Sequence, residues 1–193
     1  MIIGLTGGIA GGKSTITKLL RADGFYVIDA DEITAQLYQT NQTAVQIVQK
    51  LFADCVKNQW IDRAQLASFL THHPNLLPSL EAEIHPLILH EIQNCISSVA
   101  RQEKIIILSA PILFETNAHL MCDCVICLYA SVRKRWVRAK MRPGMTPEKF
   151  ELLRQRQLSD KQRIRRSDMA VSTHTTIQKT YQKVCRYIYD CID

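Results

Sequence analysis

The sequence predicts an α/β fold: a P-loop NTPase-like five-stranded parallel sheet flanked by helices, with an inserted helical substrate domain and a helical lid. Three observations predict it. The stretch Gly7-Gly8-Ile9-Ala10-Gly11-Gly12-Lys13-Ser14-Thr15 fits the G-x-x-x-x-G-K-[ST] pattern of a phosphate-binding loop. An apolar run, Ile2-Ile3-Gly4-Leu5-Thr6, precedes it, and Ile16, Leu19 and Leu20 follow at helical spacing. Apolar strand-like runs then alternate with helical patterns, which marks βαβ units and a parallel sheet.

The glycine loop is the first candidate site. Glycines let backbone N–H groups turn inward and approach phosphate oxygens closely. Gly8, Ala10, Gly11, Gly12 and Thr15 are candidate nucleotide-phosphate-binding residues with Lys13 and Ser14. Lys13 can reach the β- and γ-phosphates, and the Ser14 hydroxyl can ligate Mg²⁺. A helix opening near Lys13 aims its positive dipole end at the same phosphates. The alternative is an ordinary glycine-rich strand-to-helix turn; the complete motif and its flanks argue against that.

Gly24 is a natural stop for the first helix. Phe25-Tyr26-Val27-Ile28 reads as the second strand, ending at Asp29-Ala30-Asp31. Ligands of open parallel sheets sit outside the carboxyl ends of strands, so these two acids are candidates for chemistry. Equally, either could cap the next helix. Residues 40–100 read as mostly helical. Asp62 suits an N-cap, and Leu80, Ile84, Leu87, Ile88, Ile92 and Ile96 form an apolar stripe that Pro86 bends or divides. About sixty residues between two strands exceed a minimal crossover, so a helical substrate-binding insertion is expected, with His85 as a candidate contact.

Lys104-Ile105-Ile106-Ile107-Leu108-Ser109 is the clearest buried strand, and it runs on into Ala110-Pro111-Ile112-Leu113-Phe114-Glu115. An acid often follows the strand facing a P-loop; here Ser109 stands there, and the next acid is Glu115. Residues 124–129 form the fourth strand. Ser131 then caps a basic helix in which Arg138 and Arg142, four apart, share a face. Thr146-Pro147 opens a second helix. A short strand at 169–171 precedes a last helix with Ile177, Tyr181, Val184 and Ile188 as its packing face. The expected division is a core at 1–39, 101–132 and 167–193, an insertion at 40–100 and a lid at 133–166.

Length and composition suit one globular domain of 193 residues with 47% hydrophobic and 22% charged residues. No apolar run approaches the ~20 residues of a membrane span. The N-terminus enters a strand directly, without a basic leader, so a cytoplasmic location is expected. The net charge of +6 is unevenly placed: residues 133–166 hold thirteen Lys or Arg and three acids. Such a segment suits a polyanion, whether nucleotide phosphates or nucleic acid, or else a solvated helix face. Only Trp136 and Phe150 are aromatic within it, too few for a base-stacking platform. Seven cysteines read as reduced thiols. Cys122, Cys124 and Cys127 surround a strand whose side chains alternate, so they are not expected to converge on a metal.

With these residues placed, the chain resembles the dephospho-coenzyme A kinase family over nearly its whole length. The marks are Gly4 to Ile9 leading into Gly12-Lys13-Ser14-Thr15, Val27-Ile28-Asp29-Ala30-Asp31, Asp62-Arg63 with Leu66, Leu80-Glu81 with His85-Pro86, and Pro111 to Glu115. Later marks are Arg138, Arg142, Gln157 and Asp168. The resemblance implies ATP-dependent phosphorylation of the ribose 3′-hydroxyl of dephospho-CoA, with ATP as co-substrate and Mg²⁺ as metal. By position it implies Asp31 as the base or orienting group, Lys13 and Arg138 as catalytic, and Arg138 and Arg142 reaching phosphate or adenine. Asp31, Arg63, His85, Pro111 and Glu115 would serve the acceptor. A monomer without nucleic-acid or membrane partners is expected. The alternatives are another P-loop nucleotide or nucleoside kinase, or a P-loop nucleic-acid-binding or regulatory protein. Three departures from the family pattern stand out: Ala10-Gly11 where Gly and Ser are usual, Ser109 where Asp is frequent, and Thr173 and Thr175 where Asn and Gly are frequent. Ala10 is expected to carry strain if its position needs positive φ.

Overall fold

A computed structural model of the chain describes residues 1–191. Positions 192 and 193 of the expected core lie outside the described residues. Contacts group the chain into two units, one of residues 1–28 and 99–193, the other Asp29–Ser98.

The first unit is built on the sheet. Strand β1 (Ile2–Gly7) leads through the glycine loop into helix α1 (Lys13–Ala22), and β2 (Tyr26–Asp29) follows. Later come β5 (Ile106–Ser109), β6 (Cys124–Tyr129) and β7 (Met169–Ser172), with α6 (Val132–Ala139), α7 (Pro147–Gln155) and α8 (Asp160–Arg166) between β6 and β7, and α9 (Ile177–Asp190) last. The sheet order is β2-β5-β1-β6-β7. The pairs β1–β5, β1–β6 and β6–β7 are parallel, with Leu5 opposite both Ser109 and Ile126. This is the five-stranded parallel sheet expected from the alternating pattern. It places β1, and hence the loop that follows it, at the centre.

Period-2 and period-3.6 patterns meet in one core. Ile3, Leu5, Ile107, Ile126, Leu128 and Val171 of the strands pack with Ile16 and Leu20 of α1 and Val184 and Ile188 of α9. Each such side chain, fully buried, contributes about 1.5–3 kcal/mol. The α9 stripe differs at one position from its expected face: Ile177 is exposed at the helix start, and Thr180 takes the buried place. In the first turn of α9, the Thr180 hydroxyl donates to the Thr176 carbonyl at 3.0 Å.

The second unit holds α2 (Ala30–Thr40), α3 (Gln42–Leu51), α4 (Arg63–His72) and α5 (Leu77–Val99, whose last residue belongs to the first unit). Ala44, Val45, Val48, Phe52, Cys55, Ile61, Leu66, Leu80 and Ile84 form its core. Caps are where residue chemistry demands them: Asp29 accepts from the Asp31 N–H, Asn41 from Ala44 and Asp62 from Gln65. Two details differ from the sequence expectation. A two-stranded hairpin, β3 (Val56–Lys57) with β4 (Trp60–Ile61), interrupts the helices. Its turn residues Asn58 and Gln59 both have positive φ, as a type I′ turn requires, and no glycine signals it. Helix α5 also runs unbroken through Pro86. Pro86 and Ala82, whose carbonyl loses its partner, are both exposed, so water can serve that group.

The basic segment is likewise different in detail. It forms three helices rather than two, because Ser159 starts α8 with a capping box through Gln162. Helix α6 ends at Ala139, so Arg142 lies in the following turn, exposed, and does not share a helical face with Arg138.

Candidate active site

The glycine loop is a closed turn, with the Gly11 N–H donating to the Gly8 carbonyl at 2.7 Å. Ala10 sits at φ 57° and Gly12 at φ 102°. The left-handed value at Ala10 is the strain expected from its departure, costing about 1–2 kcal/mol for an L-residue. Gly12 occupies the N-cap position of α1, where its conformation lets the chain leave the loop straight into the helix. Lys13 is buried, and its Nζ donates to Ser109 Oγ at 2.8 Å. Thr17 Oγ1 lies 3.2 Å from the same hydroxyl. Ser109, at the end of β5, thus holds the lysine with a neutral group where a carboxylate was the family expectation. Ser14 and Thr15 are exposed in the first turn of α1.

The loop is held from two sides. From α6, Arg138 donates to the Ala10 carbonyl at 3.4 Å, to Thr173 Oγ1 at 2.9 Å and to the Thr173 carbonyl at 2.6 Å. Thr173, beyond β7, passes its own hydroxyl hydrogen to the Gly11 carbonyl at 3.0 Å. From the α7–α8 junction, Gln157 accepts the Ile9 N–H at 2.8 Å and donates to the Pro111 carbonyl at 3.2 Å. Glu115 accepts the neighbouring Leu158 N–H at 2.7 Å through Oε1, while its Oε2 is buried with no hydrogen-bond partner among the described residues. Pro111 and Glu115, placed by sequence with the acceptor, therefore meet the α7–α8 junction. The structural roles of Gln157 and Thr173 were not read from sequence: each marked a family position, but nothing in one chain's residue order reports a contact across some 150 positions.

Asp31 lies exposed in the first turn of α2, its N–H held by Asp29. Asp29 is therefore the cap, which leaves the carboxylate of Asp31 outside that role. Within the same unit the structure gathers further acceptor candidates around a tyrosine missed in the sequence. Burial raises the Tyr38 phenol above its ordinary range, Arg63 opposes this and Glu81 reinforces it. Glu81 also approaches His85, its Oε1 4.0 Å from Nε2 one turn on. Arg63, Glu81 and His85 so form a set drawn from α4 and α5.

A metal fits beside Ser14 in one sense only. Among the described residues no group of three or more His, Cys, Asp or Glu could hold an ion. The exposed Ser14 hydroxyl at the loop suits Mg²⁺, which takes its other ligands from phosphate and water. Cys124 Sγ lies 3.9 Å from Cys191 Sγ, while Cys127 is buried toward Arg163. Burial pushes the Cys122 and Cys124 thiols up to about 12 and Cys127 to about 11, so they rest protonated.

Comparison with known proteins agrees with this arrangement. The dephospho-CoA kinase family profile matches residues 1–179. A Rhizobium meliloti dephospho-CoA kinase is 35% identical over 191 residues, covering 98% of this chain and 97% of the relative. A Bartonella henselae dephospho-CoA kinase is 33% identical over 184 residues, covering 95% and 94%. The fold matches a dephospho-CoA kinase structure from Campylobacter jejuni with a TM-score of 0.73 at 21% identity, covering 98% of this chain and 96% of that one. On the family match, these identities and the intact phosphate loop, the chain belongs to the dephospho-CoA kinase family.

Proposed function

We propose that this chain transfers the γ-phosphoryl group of ATP to the ribose 3′-hydroxyl of dephospho-CoA, giving coenzyme A and ADP. The observation that carries it is the formed phosphate cradle, with Ala10 and Gly12 left-handed and Lys13 buried at its head, in a chain of this family. Inward N–H groups and the α1 N-terminus favour bound phosphates. Lys13 exchanges its Ser109 hydroxyl for phosphate oxygens, where its charge offsets the charge that grows during transfer. Arg138, already fixed on the loop, supplies a second positive group, and exposed Arg142 a third.

Asp31 is the group to which we assign the acceptor proton. As the new O–P bond forms at the 3′-oxygen and the β–γ bridging bond breaks, the hydroxyl proton passes to the carboxylate and ADP leaves. We assign acceptor contacts within the second unit to Arg63 and His85. Ser14 would hold the Mg²⁺ that accompanies ATP, and the ion would supply charge neutralisation for the phosphates. No helix among the described residues is long and apolar enough to cross a membrane. We place the enzyme in the cytoplasm as a monomer without a nucleic-acid partner. In support, Arg135, Arg138 and Arg163 of the basic segment turn inward onto Asp160 and Thr173. The test is product identification: the ATP-dependent product should comigrate with authentic coenzyme A and carry its phosphate at the 3′ position. A 2′-phosphate, or none, would refute the assignment.

A further inference from the structure

Behind the phosphate loop lies a cluster that the proposed chemistry does not use. Arg135 on α6 and Arg163 on α8 are 2% and 1% exposed, among the most buried charged groups described. Both guanidinium groups bond to one carboxylate, Asp160: Arg135 Nη2 reaches Oδ2 at 2.9 Å, and Arg163 Nη2 bonds Oδ1. Arg163 also donates to the Leu158 carbonyl at 2.6 Å. Two buried cations thus share one anion. Arg135 Nε and Nη1 and Arg163 Nε are buried with no hydrogen-bond partner among the described residues. Of the other charges acting on Arg135, Arg163 and Arg154 are both positive, and Arg154 is itself paired with Glu151. The cluster lies directly against the first turn of the loop. Any side chain at Gly8 would collide with Arg135 Nη1 and would come within 2.5 Å of Arg163 Nη2.

A buried, uncompensated charge is costly, and even a complete buried ion pair can often be replaced by well-packed apolar residues with a neutral or stabilising result. The surplus positive charge here faces the one place in the fold where several negative charges are expected to arrive. We propose that Arg135, with Arg163, is a positioning residue for the nucleotide: its unbalanced charge behind Gly8 strengthens triphosphate binding through the loop without touching the phosphates, and the ATP-free protein is less stable for it. At a short separation inside the protein such a charge is screened far less than a surface one. The inference rests on ATP binding at this loop.

The test pairs two readouts that a merely structural arginine would move together. Arg135→Met keeps length and apolar bulk and leaves one Arg on one Asp. The account predicts that its nucleotide-free Tm is equal to or above that of the unsubstituted chain, while the Kd for MgATP by calorimetry rises on the order of 10-fold, little affected by salt. Arg135→Lys, which keeps the charge, should recover most of the affinity. Arg135→Gln repeats the measurement if the Met variant does not fold, and the same weakening is expected. Unchanged affinity in the charge-removing variants, with the unsubstituted chain binding MgATP, overturns this inference alone. Weaker binding accompanied by a matching fall in Tm, with Lys no better than Met, also overturns it. Failure of the unsubstituted chain to bind MgATP overturns the kinase proposal and this inference together.

Discussion

In the function we propose, the phosphate loop and the helical Asp29–Ser98 unit solve two recognition problems by different means. At the loop, nine consecutive residues create the cradle, and we assign most of the phosphate contacts to its backbone groups. Every side chain that fixes it, Ser109, Thr173, Arg138 and Gln157, acts by hydrogen bonds of 3.4 Å or less to loop atoms. In the helical unit, Tyr38, Arg63, Glu81 and His85 come from three helices and meet through longer-range charge and a 4.0 Å contact. Phosphate is common to every nucleotide and suits a rigid, local, backbone-built site. The proposed acceptor is particular, and the side chains we assign to it are gathered from afar. The difference predicts that loop changes damage ATP use whatever the acceptor, whereas changes in the helical unit damage acceptor use alone.

The largest expected effect is at Lys13. Lys13→Ala should lower kcat by about 10³-fold, the scale of losing one preorganised electrostatic contact and its share of phosphate binding. Unchanged kcat and KM for ATP would break the comparison at its strong side. Asp31→Asn should lower kcat by about 10²-fold or more with ATP binding intact, as for loss of a positioned base. Near-normal turnover would remove Asp31 from that role. Arg63→Ala should raise the KM for dephospho-CoA by about 10-fold, the loss of one charge-assisted hydrogen bond, and leave the KM for ATP within twofold. An equal rise in both would erase the distinction between the two regions. Ala10→Gly relieves a left-handed alanine and should raise stability, by less than about 1 kcal/mol because glycine also gains freedom when unfolded. A lower Tm would show that the loop prefers its present residue.

The smallest expected effect is a pH effect in the helical unit. The Gln65 N–H and the Lys57 ammonium hold the Asp62 carboxyl below its ordinary range. Its folded value being the lower one, the stability it adds is present above the unfolded pKa of ~3.9 and fades as pH falls through the folded value. Asp62→Asn should therefore flatten the acid limb of the thermal melting profile and leave neutral-pH activity alone.

Much of this was legible in the sequence, for reasons that differ by region. The loop could be read because its chemistry is contiguous: Gly12, Lys13 and Ser14 carry their meaning in their spacing. The strands around it showed as apolar runs since a parallel sheet is buried on both faces. The strain at Ala10 was visible as an alanine where a left-handed residue was expected. The hairpin at 56–61 was not legible, because a two-residue turn of Asn58 and Gln59 lacks the glycine that marks such turns. The end of α6 at Ala139 was obscured by basic residues continuing to Arg142 with no change in character. Asp160 was hidden for another reason. One acid amid thirteen basic residues reads as a surface charge, and only folding turns Arg135 and Arg163 inward onto it.

The most direct test of the central claim is acceptor dependence. ADP release from MgATP should be measured with dephospho-CoA, AMP, uridine and shikimate as sole acceptors. Turnover that requires dephospho-CoA and is near background with the others is the predicted result. Comparable turnover with AMP, uridine or shikimate would contradict the account, since the helical unit would then not select the acceptor.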